Sequence, residues 1–500
     1  MTAANDRVKT GIPGFDVLSR GGLPKGRGTL VLGTAGSGKT IFAVQFLVAG
    51  IKEHGEPGVF VTFEESKEDV GRDVAGFGWN IKALEDEGKL ACVDASPEPE
   101  QEHEIVGDYE LAPLLARIEL AVKKTGAKRL AIDSTSAVFN RFDPGKVRTE
   151  LFRITAFANK MGVTTVMTME REEEDGALGR HGVEQFVMDN VVLLKNATGG
   201  ESRNRSIEIL KARGADHGKG ENPVVIKNGE GIVVVPFSGS GSQKGATIER
   251  ISFGIPELDE MVGGGLFGDS ITLISGATGT GKTMLCANFV KAGADVGERS
   301  VFFGFEESSD EIMRNAGATG AGVSKLVEEG LIKIECFFPE SKTPFQHFLH
   351  ILRTIDEFGP SRICIDSISA LERICSQEMY VRFMARLVYE LKQRGVAAVF
   401  TVAAGELMGG ATITQSHIST ISDAILLLRY LEVYGEMKRG MVVLKLRGSA
   451  NDRRLHEFFI SEEGIRIAGP FRDISGVFSQ SPSMFPVEER DRIGKKYRET

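Results

Sequence analysis

The sequence has few cysteines and no long apolar segment. Its five cysteines are scattered, without a CxxC pair or a Cys/His cluster. This pattern is typical of reduced core thiols, so we predict neither a disulfide framework nor a zinc site. No apolar run approaches the ~18 residues that a membrane span needs, and the first residues lack the apolar stretch of a signal peptide. We therefore expect a cytoplasmic protein with no membrane partner.

An excess of basic residues is also absent. The 60 Lys and Arg face 69 Asp and Glu, which gives a net charge of -9. This balance opposes a general attraction to nucleic acid, although a local basic pore is compatible with it. With 500 residues, of which 41% are hydrophobic, the chain is long enough for two or more globular domains.

The second half of the chain repeats five blocks of the first half in the same order. The blocks TGIPGFD, GTAGSGKT, VFVTFEES, RLAIDS and ILKARG correspond to FGIPELD, GATGTGKT, VFFGFEES, RICIDS and VLKLRG. Because each repeat has the size of a domain, we predict a tandem duplication and not a solenoid. The predicted parts are domains at 1–237 and 248–481, a Gly/Ser-rich linker at 238–247 and a flexible tail at 482–500.

Each half alternates short β-branched runs with longer amphipathic stretches. GTLVLG, GVFVTF and GVTTVMTM are runs of the first kind, and KTIFAVQFLVAGIKEHG and RTELFRITAFANKMG are stretches of the second. This alternation predicts an α/β fold in each half, with a mostly parallel sheet flanked by helices.

Residues 33–40 and 276–283 each form a complete G-x-x-x-x-G-K-T motif between a predicted strand and a predicted helix. Backbone N–H groups of such a P-loop surround phosphate oxygens, the lysine reaches the β- and γ-phosphates, and the threonine binds Mg²⁺. A glycine-rich turn without a ligand is the alternative. We predict ATP and Mg²⁺ as cofactors, with nucleotide contacts at Gly36, Ser37, Gly38, Lys39, Thr40, Ile41, Thr278, Gly279, Thr280, Gly281, Lys282, Thr283 and Met284.

Acidic residues follow two apolar strands in each half. Asp133 and Asp366 end buried strands and are predicted to orient Mg²⁺, with helix N-capping as the alternative. The adjacent pairs at 64–65 and 306–307 follow another strand. Side-chain alternation lets one acid of each pair face the nucleotide and act as general base, whereas an isolated Glu-Glu pair is usually solvated surface.

Lysine and arginine alternate late in each half, in KARG and KLRG. We expect Lys211 with Arg213, and Lys445 with Arg447, to lie beyond the last core strand and to present two cations to one phosphate group. Such an arginine finger is often supplied by a neighbouring subunit. A surface strand with solvated charges is the alternative.

The two halves differ at one corresponding stretch. SHISTISD, 416–423, carries the hydroxyls of Ser419 and Thr420 where GVEQFVMD, 182–189, carries Gln185 and Phe186. If this segment lies near the γ-phosphate of a neighbouring subunit, the second half offers its own hydroxyl as nucleophile and the first half offers only water. Local hydrogen bonding by Ser and Thr is the alternative.

The tandem P-loops, the FEES blocks, the KxRG pairs and SHIST together resemble the KaiC family of circadian-clock ATPases and autokinases, within the RecA-like superfamily. The resemblance covers nearly the whole chain. It implies two RecA-like domains and a homohexamer of two stacked rings with ATP between subunits. It further implies that the first domain is an ATPase, that the second is an autokinase and autophosphatase, and that phosphorylation acts as a switch or timer.

The resemblance also assigns roles to individual residues. Glu64 and Glu65 become the hydrolytic acids, Glu306 the kinase base and a Mg²⁺ ligand, with support from Glu307, and Ser419 and Thr420 the phosphoacceptors. Further nucleotide contacts are implied at Lys211, Ala212, Arg213, His217, Arg439, Lys445, Leu446, Arg447 and Ser449.

The sequence departs from the family pattern at Gln415, where Asp is usual beside the phosphosites. It also departs at Gly76 and Thr319, where family members have a Ser and a Trp, respectively, that contact the nucleotide base. Its C-terminal tail is shorter than in cyanobacterial members. A KaiB-like partner is therefore expected, and a KaiA-like partner is left open.

Two alternative functions remain open: a RecA-like DNA-dependent ATPase, and a tandem ring ATPase scaffold without autokinase activity.

Overall fold

The computed structural model describes residues 6–95, 111–139, 142–174, 187–199, 202–236, 247–403, 418–471, 474–475 and 483–484. The chain divides into two compact units, unit 1 (1–240) and unit 2 (241–500). The predicted linker and the predicted tail lie almost entirely outside the described residues, so their boundaries stay predictions.

Unit 1 is built on strands and helices that alternate as the sequence predicts. Its strands are β1 Arg7–Val8, β2 Leu23–Pro24, β3 Gly28–Gly33, β4 Gly58–Thr62, β5 Leu90–Asp94, β6 Arg129–Asp133, β7 Thr164–Glu170, β8 Asn190–Gly199, β9 Ser202–Ala212, β10 Asn222–Lys227 and β11 Gly231–Val234. Its helices are α1 Phe15–Leu18, α2 Lys39–His54, α3 Lys67–Val74, α4 Ile81–Asp86, α5 Ala112–Thr125, α6 Ser136–Phe139 and α7 Pro144–Met161, with a 3₁₀ turn at Ala75–Phe77.

Unit 2 repeats this order of elements. Its strands are β12 Arg250–Ile251, β13 Leu266–Phe267, β14 Ile271–Gly276, β15 Ser300–Gly304, β16 Ile332–Cys336, β17 Arg362–Asp366, β18 Ala397–Ala403, β19 Ala424–Val433, β20 Glu436–Leu446, β21 His456–Ser461, β22 Gly464–Pro470, β23 Ile474–Ser475 and β24 Ser483–Met484. Its helices are α8 Pro256–Met261, α9 Lys282–Asp295, α10 Ser309–Ala318, α11 Ser324–Glu328, α12 Pro344–Phe358, α13 Ile368–Arg373, α14 Gln377–Arg394 and α15 Ile418–Ile421, with a 3₁₀ turn at Pro339–Ser341.

Each unit contains a nine-stranded sheet with the same strand order. In unit 1 the order is β11-β10-β9-β8-β3-β7-β6-β4-β5, and in unit 2 it is β22-β21-β20-β19-β14-β18-β17-β15-β16. The six strands from β8 to β5, and likewise from β19 to β16, pair in parallel, and the remaining three pair antiparallel. These are two RecA-like α/β domains, as predicted.

The central strands form the cores because they carry apolar residues on both faces. Every residue of β3, β4 and β6 is buried, and so is every residue of β14 and β15. Strands that helices cover on both sides have little solvent-facing surface, which explains the continuous apolar runs of the sequence. In such a sheet the carboxyl ends of the parallel strands meet at one edge, where ligands bind.

A buried arginine recurs at the start of one strand in each unit. Arg129, 1% exposed, donates from Nε to Glu56 (2.7 Å) and from Nη1 to the Phe46 carbonyl oxygen (2.7 Å). Arg362, 3% exposed, donates in the same way to Glu298 (2.7 Å) and to the Ser252 carbonyl oxygen (2.6 Å). Because a buried charge is costly without a partner, these pairs hold each P-loop helix region against its sheet.

Among the described residues, no helix is both long enough and apolar enough to cross a membrane.

Candidate nucleotide sites

The two P-loops lie at the carboxyl ends of β3 and β14 and continue into α2 and α9. The glycine directly before each helix, Gly38 or Gly281, has a positive φ of 103° or 106°. A Cβ at Gly281 would lie 2.5 Å from Ile460 Cδ1, so both conformation and space require glycine there. The loop therefore directs backbone N–H groups of the helix start toward the edge of the sheet, as phosphate binding requires.

The P-loop lysines donate hydrogen bonds to carbonyl oxygens of their own loops. Lys39 Nζ donates to the Thr34 carbonyl oxygen at 2.9 Å, and Lys282 Nζ donates to the carbonyl oxygens of Gly276 (2.8 Å) and Ala277 (3.0 Å). Burial lowers the pKa of both lysines, and nearby carboxylates oppose that shift. Each ammonium group is thus placed at the mouth of its loop.

Asp133 and Asp366, the Walker B aspartates, face the P-loop threonines. Thr40 Oγ1 lies 2.7 Å from Asp133 Oδ2, and Thr283 Oγ1 lies 2.5 Å from Asp366 Oδ2. The second carboxylate oxygen of each aspartate accepts from a threonine of the adjacent strand, Thr168 or Thr401. Burial raises the pKa of Asp366. Ser367, not Asp366, is the N-cap residue of α13, so the N-cap alternative fails there.

These oxygen pairs have the chemistry that Mg²⁺ requires. Mg²⁺ prefers hard oxygen ligands and is commonly bound by one or two carboxylates, with substrate phosphates completing the shell. No group of three or more His, Cys, Asp and Glu side chains with metal-binding geometry occurs in the described part of the chain. The residues therefore fit a Mg²⁺ ion that is bound together with ATP, and not a metal site made of protein ligands alone.

The adjacent glutamates divide between two directions, as strand alternation predicts. Glu306 accepts from Ser367 (3.2 Å) and pairs with Arg373 (3.4 Å), whereas Glu307 accepts from Asn315 (3.0 Å) on the following helix. Loss of hydration raises the pKa of Glu307. Glu306 thus lies beside Ser367, the residue after Asp366, and its charge acts on both Asp366 and Lys282.

Unit 1 repeats this arrangement with Glu64 and Glu65. Glu64 accepts a hydrogen bond from Ser134 and interacts with Lys39 and Asp133, and partial desolvation raises its pKa. Desolvation also raises the pKa of Glu65, and repulsion from Asp73 adds to that shift. That one acid of each pair faces the nucleotide stays a prediction.

The Lys/Arg pairs occupy a different place from the one expected. Lys211 lies in β9 and Lys445 in β20, inside the nine-stranded sheets, and two further strands follow each of them. The expectation that they lie beyond the last core strand is wrong, because the antiparallel part of the sheet extends past KARG and KLRG.

Both pairs lie at the end of the sheet opposite the P-loop of their own unit. Lys445 is in register with Ile425 and hence with Leu273, three residues before the P-loop strand ends at Gly276, which is about 10 Å of strand. Its Nζ donates to the Ser422 carbonyl oxygen at 2.7 Å, directed away from the P-loop. Lys211 has the same register in unit 1 and donates to the Met188 carbonyl oxygen at 2.8 Å.

The predicted phosphoacceptor segment lies beside the unit 2 pair. Ser419 and Thr420 are in α15, immediately before β19 begins at Ala424. Arg447 Nη2 donates to the Thr420 carbonyl oxygen at 2.6 Å. The parallel stretch between Ala424 and the level of the P-loop spans about 13 Å. The acceptor segment and the P-loop of one chain are therefore at opposite ends of the sheet. Gln185 and Phe186 of unit 1 lie outside the described residues.

The remaining predicted contacts fall in several places. Arg439 lies at the P-loop end of β20, where its guanidinium carbon is 5.8 Å from the centre of the Tyr430 ring. Ser449 accepts from Arg250 at 2.5 Å, and His217 Nδ1 lies 2.9 Å from the Gly218 carbonyl oxygen. Arg439 and Lys445 are thus at opposite ends of one strand and cannot contact one nucleotide from the same chain.

Positions that depart from the family pattern also have local contacts. Thr319 Oγ1 lies 2.9 Å from the sulfur of Met284, in the first turn of α9, and Gly76 accepts from the Gly229 N–H at 3.1 Å. Ala212 and Leu446 end β9 and β20 beside the Lys/Arg pairs, and Ile41 lies in the first turn of α2. Gln415 lies outside the described residues.

Sequence reasoning missed several residues that contact the P-loops. Arg205 Nε donates to the Gly36 carbonyl oxygen at 3.0 Å, and Tyr430 Oη donates to the Gly279 carbonyl oxygen at 2.6 Å. In unit 1, Thr34 also donates to Glu174. Arg205, Tyr430 and Glu174 do not belong to a motif. The pairing of β9 with β8 brings Arg205 to its loop, and the pairing of β19 with β14 brings Tyr430 to its loop.

Comparison with known proteins agrees with this geometry. The sequence model of a family described as "ATPase: KaiC" matches residues 8–238 and again residues 251–471. The chain is 47% identical to circadian clock protein KaiC3 of a Synechocystis strain over 489 residues, which cover 98% of this chain and 97% of the relative.

Two further relatives are circadian clock oscillator proteins KaiC. The protein of Parathermosynechococcus lividus is 47% identical over 490 residues (98% of this chain and 90% of the relative), and that of Synechococcus elongatus is 45% identical over 490 residues (98% and 94%). On these matches and the two P-loop domains, the chain belongs to the KaiC family of ATPases, and its nucleotide is ATP.

Proposed function

We propose that unit 1 hydrolyses ATP and that unit 2 transfers the γ-phosphoryl group of ATP to Ser419 and Thr420 of a neighbouring copy of the chain. The observation that carries this proposal is the position of the acceptor segment, at the end of the sheet opposite the P-loop of the same unit. A chain with this arrangement can use its own acceptor only by presenting it to another copy.

In unit 1, Glu64 is the general base. It lies at the carboxyl end of β4, close to Lys39 and Asp133, and the raised pKa of its carboxyl makes it a stronger base than an ordinary glutamate. Without an acceptor hydroxyl at this site, the base activates water and the result is hydrolysis.

In unit 2, Glu306 takes the proton of the attacking hydroxyl. Ser367 and Arg373 hold its carboxylate in place. The hydroxyl oxygen forms a bond to the γ-phosphorus, the bond to the β-γ bridging oxygen breaks, and ADP leaves. The reverse of this transfer, or attack by water on the phosphorylated residue, supplies the autophosphatase activity.

The positions of the two ends support a proposed ring. Each copy would supply its P-loop end to one neighbour and its Lys/Arg end to the other neighbour, which is a heterologous, head-to-tail interface that closes into a ring. Lys211 with Arg213, and Lys445 with Arg447, then reach ATP of the adjacent subunit and stabilise charge on the transferring phosphoryl. We propose the homohexamer that the family resemblance implies.

Mg²⁺ would be held by Thr40 with Asp133 and by Thr283 with Asp366, and Glu306 is a further candidate ligand. When bound, the ion neutralises charge on the β- and γ-phosphates. The protein residues position it through hydrogen bonds from Thr168 and Thr401 to the second aspartate oxygen.

The clock-protein relatives suggest a wider role for this chain in the cytoplasm. Each phosphate adds about -1.5 to -2 charges beside Arg447 and Asp423, which is enough to change the packing between subunits and the affinity for a partner. We propose a phosphorylation-state switch or timer that acts with a KaiB-like protein. The net charge of -9 disfavours nucleic acid as a partner.

Mass spectrometry after incubation with Mg·ATP tests this function. We expect phosphate on the peptide that contains Ser419 and Thr420, and none on that peptide in Glu306→Gln. Steady ATP hydrolysis with an unmodified peptide would contradict the kinase and leave the tandem ring ATPase scaffold. ATP turnover that requires added DNA would favour a recombinase-like function instead.

A further inference from the structure

The P-loop of unit 1 is bonded to an acidic side chain that follows β7. Thr34 Oγ1, at the second position of the loop, donates to Glu174 Oε1, and the same oxygen accepts from the Asn196 N–H at 2.9 Å. Asn196 also reaches the loop through its side-chain amide, 3.4 Å from the Ala35 carbonyl oxygen. One carboxylate oxygen therefore joins the phosphate-binding loop to strand β8.

The other oxygen of this carboxylate has no hydrogen-bond partner in the part of the chain that the structure describes. This oxygen, Glu174 Oε2, is buried. A buried acceptor without a partner costs free energy, and an anion costs more. Lys39 offsets part of that cost by Coulombic attraction. A neutral amide at this position would cost less free energy to bury than the carboxylate does. The presence of the carboxylate therefore suggests that its charge has a use.

Unit 2 cannot form the same hydrogen bond to its P-loop. Ala277 stands where unit 1 has Thr34, and a side chain without a hydroxyl cannot donate to an acid. Ala403, the last residue of β18, stands where unit 1 has Glu170 at the end of β7. Among the described residues, Lys39 interacts with four carboxylates (Glu170, Asp133, Glu64 and Glu174), whereas Lys282 interacts with two (Asp366 and Glu306).

We propose that Glu174 is a positioning residue of the unit 1 nucleotide site. Its carboxylate fixes the P-loop through Thr34, and its negative charge weakens the binding of nucleotide phosphates. The first effect orders the loop for hydrolysis, and the second prevents the site from holding nucleotide too tightly. This inference rests on the proposed hydrolysis in unit 1 and goes beyond it, because it predicts that the two sites of one chain differ in nucleotide affinity.

The two effects are separable by substitution. Glu174→Gln keeps an oxygen that accepts from Thr34 and Asn196 but removes the charge. Thr34→Ala removes the bond to the loop but keeps the charge. We expect Glu174→Gln to lower KM for ATP about three- to tenfold with kcat unchanged within twofold, since a charge interaction of about 1.4 kcal/mol corresponds to a factor of ten.

Thr34→Ala is expected to lower kcat about tenfold without lowering KM, because a displaced loop loses alignment for the reaction. Glu174→Ala should combine both changes, and its loss of kcat should not increase when Thr34→Ala is added, since both substitutions break the same bond. Thr34→Ser, which restores a hydroxyl, should recover kcat. A role in stability alone would lower the melting temperature in all variants without this division between KM and kcat.

The measurements use the full chain. Steady-state ATP turnover is measured in a Glu306→Gln/Glu307→Gln background, which silences the chemistry of unit 2. Release of a fluorescent ADP analogue is measured in a Lys282→Ala background, in which unit 1 provides the intact binding loop. The matched control is Glu173→Gln, which removes an exposed charge next to Glu174 and should change each quantity less than twofold.

The outcomes distinguish this inference from the proposed function. No turnover in the parent background would contradict hydrolysis in unit 1, and the release experiment would still test Glu174: the inference predicts release slowed at least about threefold in Glu174→Gln and not in Thr34→Ala. Equal KM and release rates in Glu174→Gln and the parent, or fully additive losses of kcat in Thr34→Ala and Glu174→Ala, would overturn it.

Discussion

The two units satisfy the same P-loop carbonyl with different residues. In unit 1, Arg205 on β9 donates to Gly36, whereas in unit 2, Tyr430 on β19 donates to Gly279, and Arg439, which matches Arg205 in strand register, stacks on that tyrosine. A backbone carbonyl in such a loop requires a hydrogen-bond donor, but the fold does not determine which strand supplies that donor. The duplicated chain has therefore kept the requirement and changed the residue.

The units differ most in their electrostatics and in their acceptors. Glu170 and Glu174 surround the loop of unit 1, and α15 brings two hydroxyl residues to the far end of the unit 2 sheet. The P-loop glycines, lysine and final threonine, the Walker B aspartate and the Glu pair are the same in both. The differences between the units thus lie around a constant phosphate-binding centre.

The largest expected effect separates the two bases. Glu306→Gln should reduce phosphate on Ser419 and Thr420 at least about 100-fold, because general-base catalysis supplies that much, while ATP hydrolysis in unit 1 continues. Glu64→Gln should do the reverse. Phosphopeptide mass spectrometry and phosphate release are measured on the same samples. Loss of both activities in either single variant would mean that the units do not act separately.

The buried arginines should show that the two units are stabilised in the same way. Glu56→Gln and Glu298→Gln each leave a buried guanidinium without its anion, and we expect a loss of about 3 kcal/mol in the unfolding free energy of the affected unit. Denaturant unfolding measures it. Glu378→Gln, which breaks an exposed pair with Arg382, is the control and should cost under about 0.5 kcal/mol. A loss of unfolding free energy in only one of the two variants would show that the buried arginines do not stabilise the two units in the same way.

Removing each P-loop hydrogen bond should slow only its own unit. Tyr430→Phe deletes the hydroxyl that binds Gly279, and we expect about a fivefold slower phosphorylation, since one such bond contributes about 1 kcal/mol. Arg205→Gln should slow ATP hydrolysis in unit 1 by a similar factor. Both rates are measured for both variants. Slowing of the opposite unit would show that the loops are coupled.

The smallest effect is in pH dependence. The pKa of Glu64 is raised above its ordinary value of 4.5, and a base works only when deprotonated. Hydrolysis in unit 1 should therefore be lost, as pH falls, at a higher pH than an ordinary glutamate would require. The pH profile of ATP turnover in Glu306→Gln/Glu307→Gln measures this. A rate that stays constant down to the ordinary glutamate range would contradict the assignment.

Local patterns were sufficient to predict the parallel core. The stretch KTIFAVQFLVAGIKEHG is helix α2 up to its last residue, Gly55, which is the αL C-cap, and GVTTVMTM contains all of β7 except its last residue, Glu170. These segments were predictable because their apolar period and their caps are encoded within a few residues. The P-loop and Walker B residues were predictable for the same reason.

Contacts that depend on strand register were not predictable. KARG and KLRG were expected outside the core sheet, and nothing in the sequence showed that three antiparallel strands complete each sheet. The approach of Arg205, Tyr430 and Glu174 to the loops follows from pairing between strands that are distant from the P-loop in sequence. Residue type alone does not determine such pairing.

The central claim is that the nucleotide and the acceptor of unit 2 meet only between copies. Two full-length variants test it most directly: Lys282→Ala, which cannot use ATP in unit 2, and Ser419→Ala/Thr420→Ala, which has no acceptor. After mixing, reassembly and incubation with Mg·ATP, mass spectrometry should find phosphate on the Lys282→Ala chains, although neither variant alone is phosphorylated. A mixed assembly without phosphate on those chains would contradict transfer between copies.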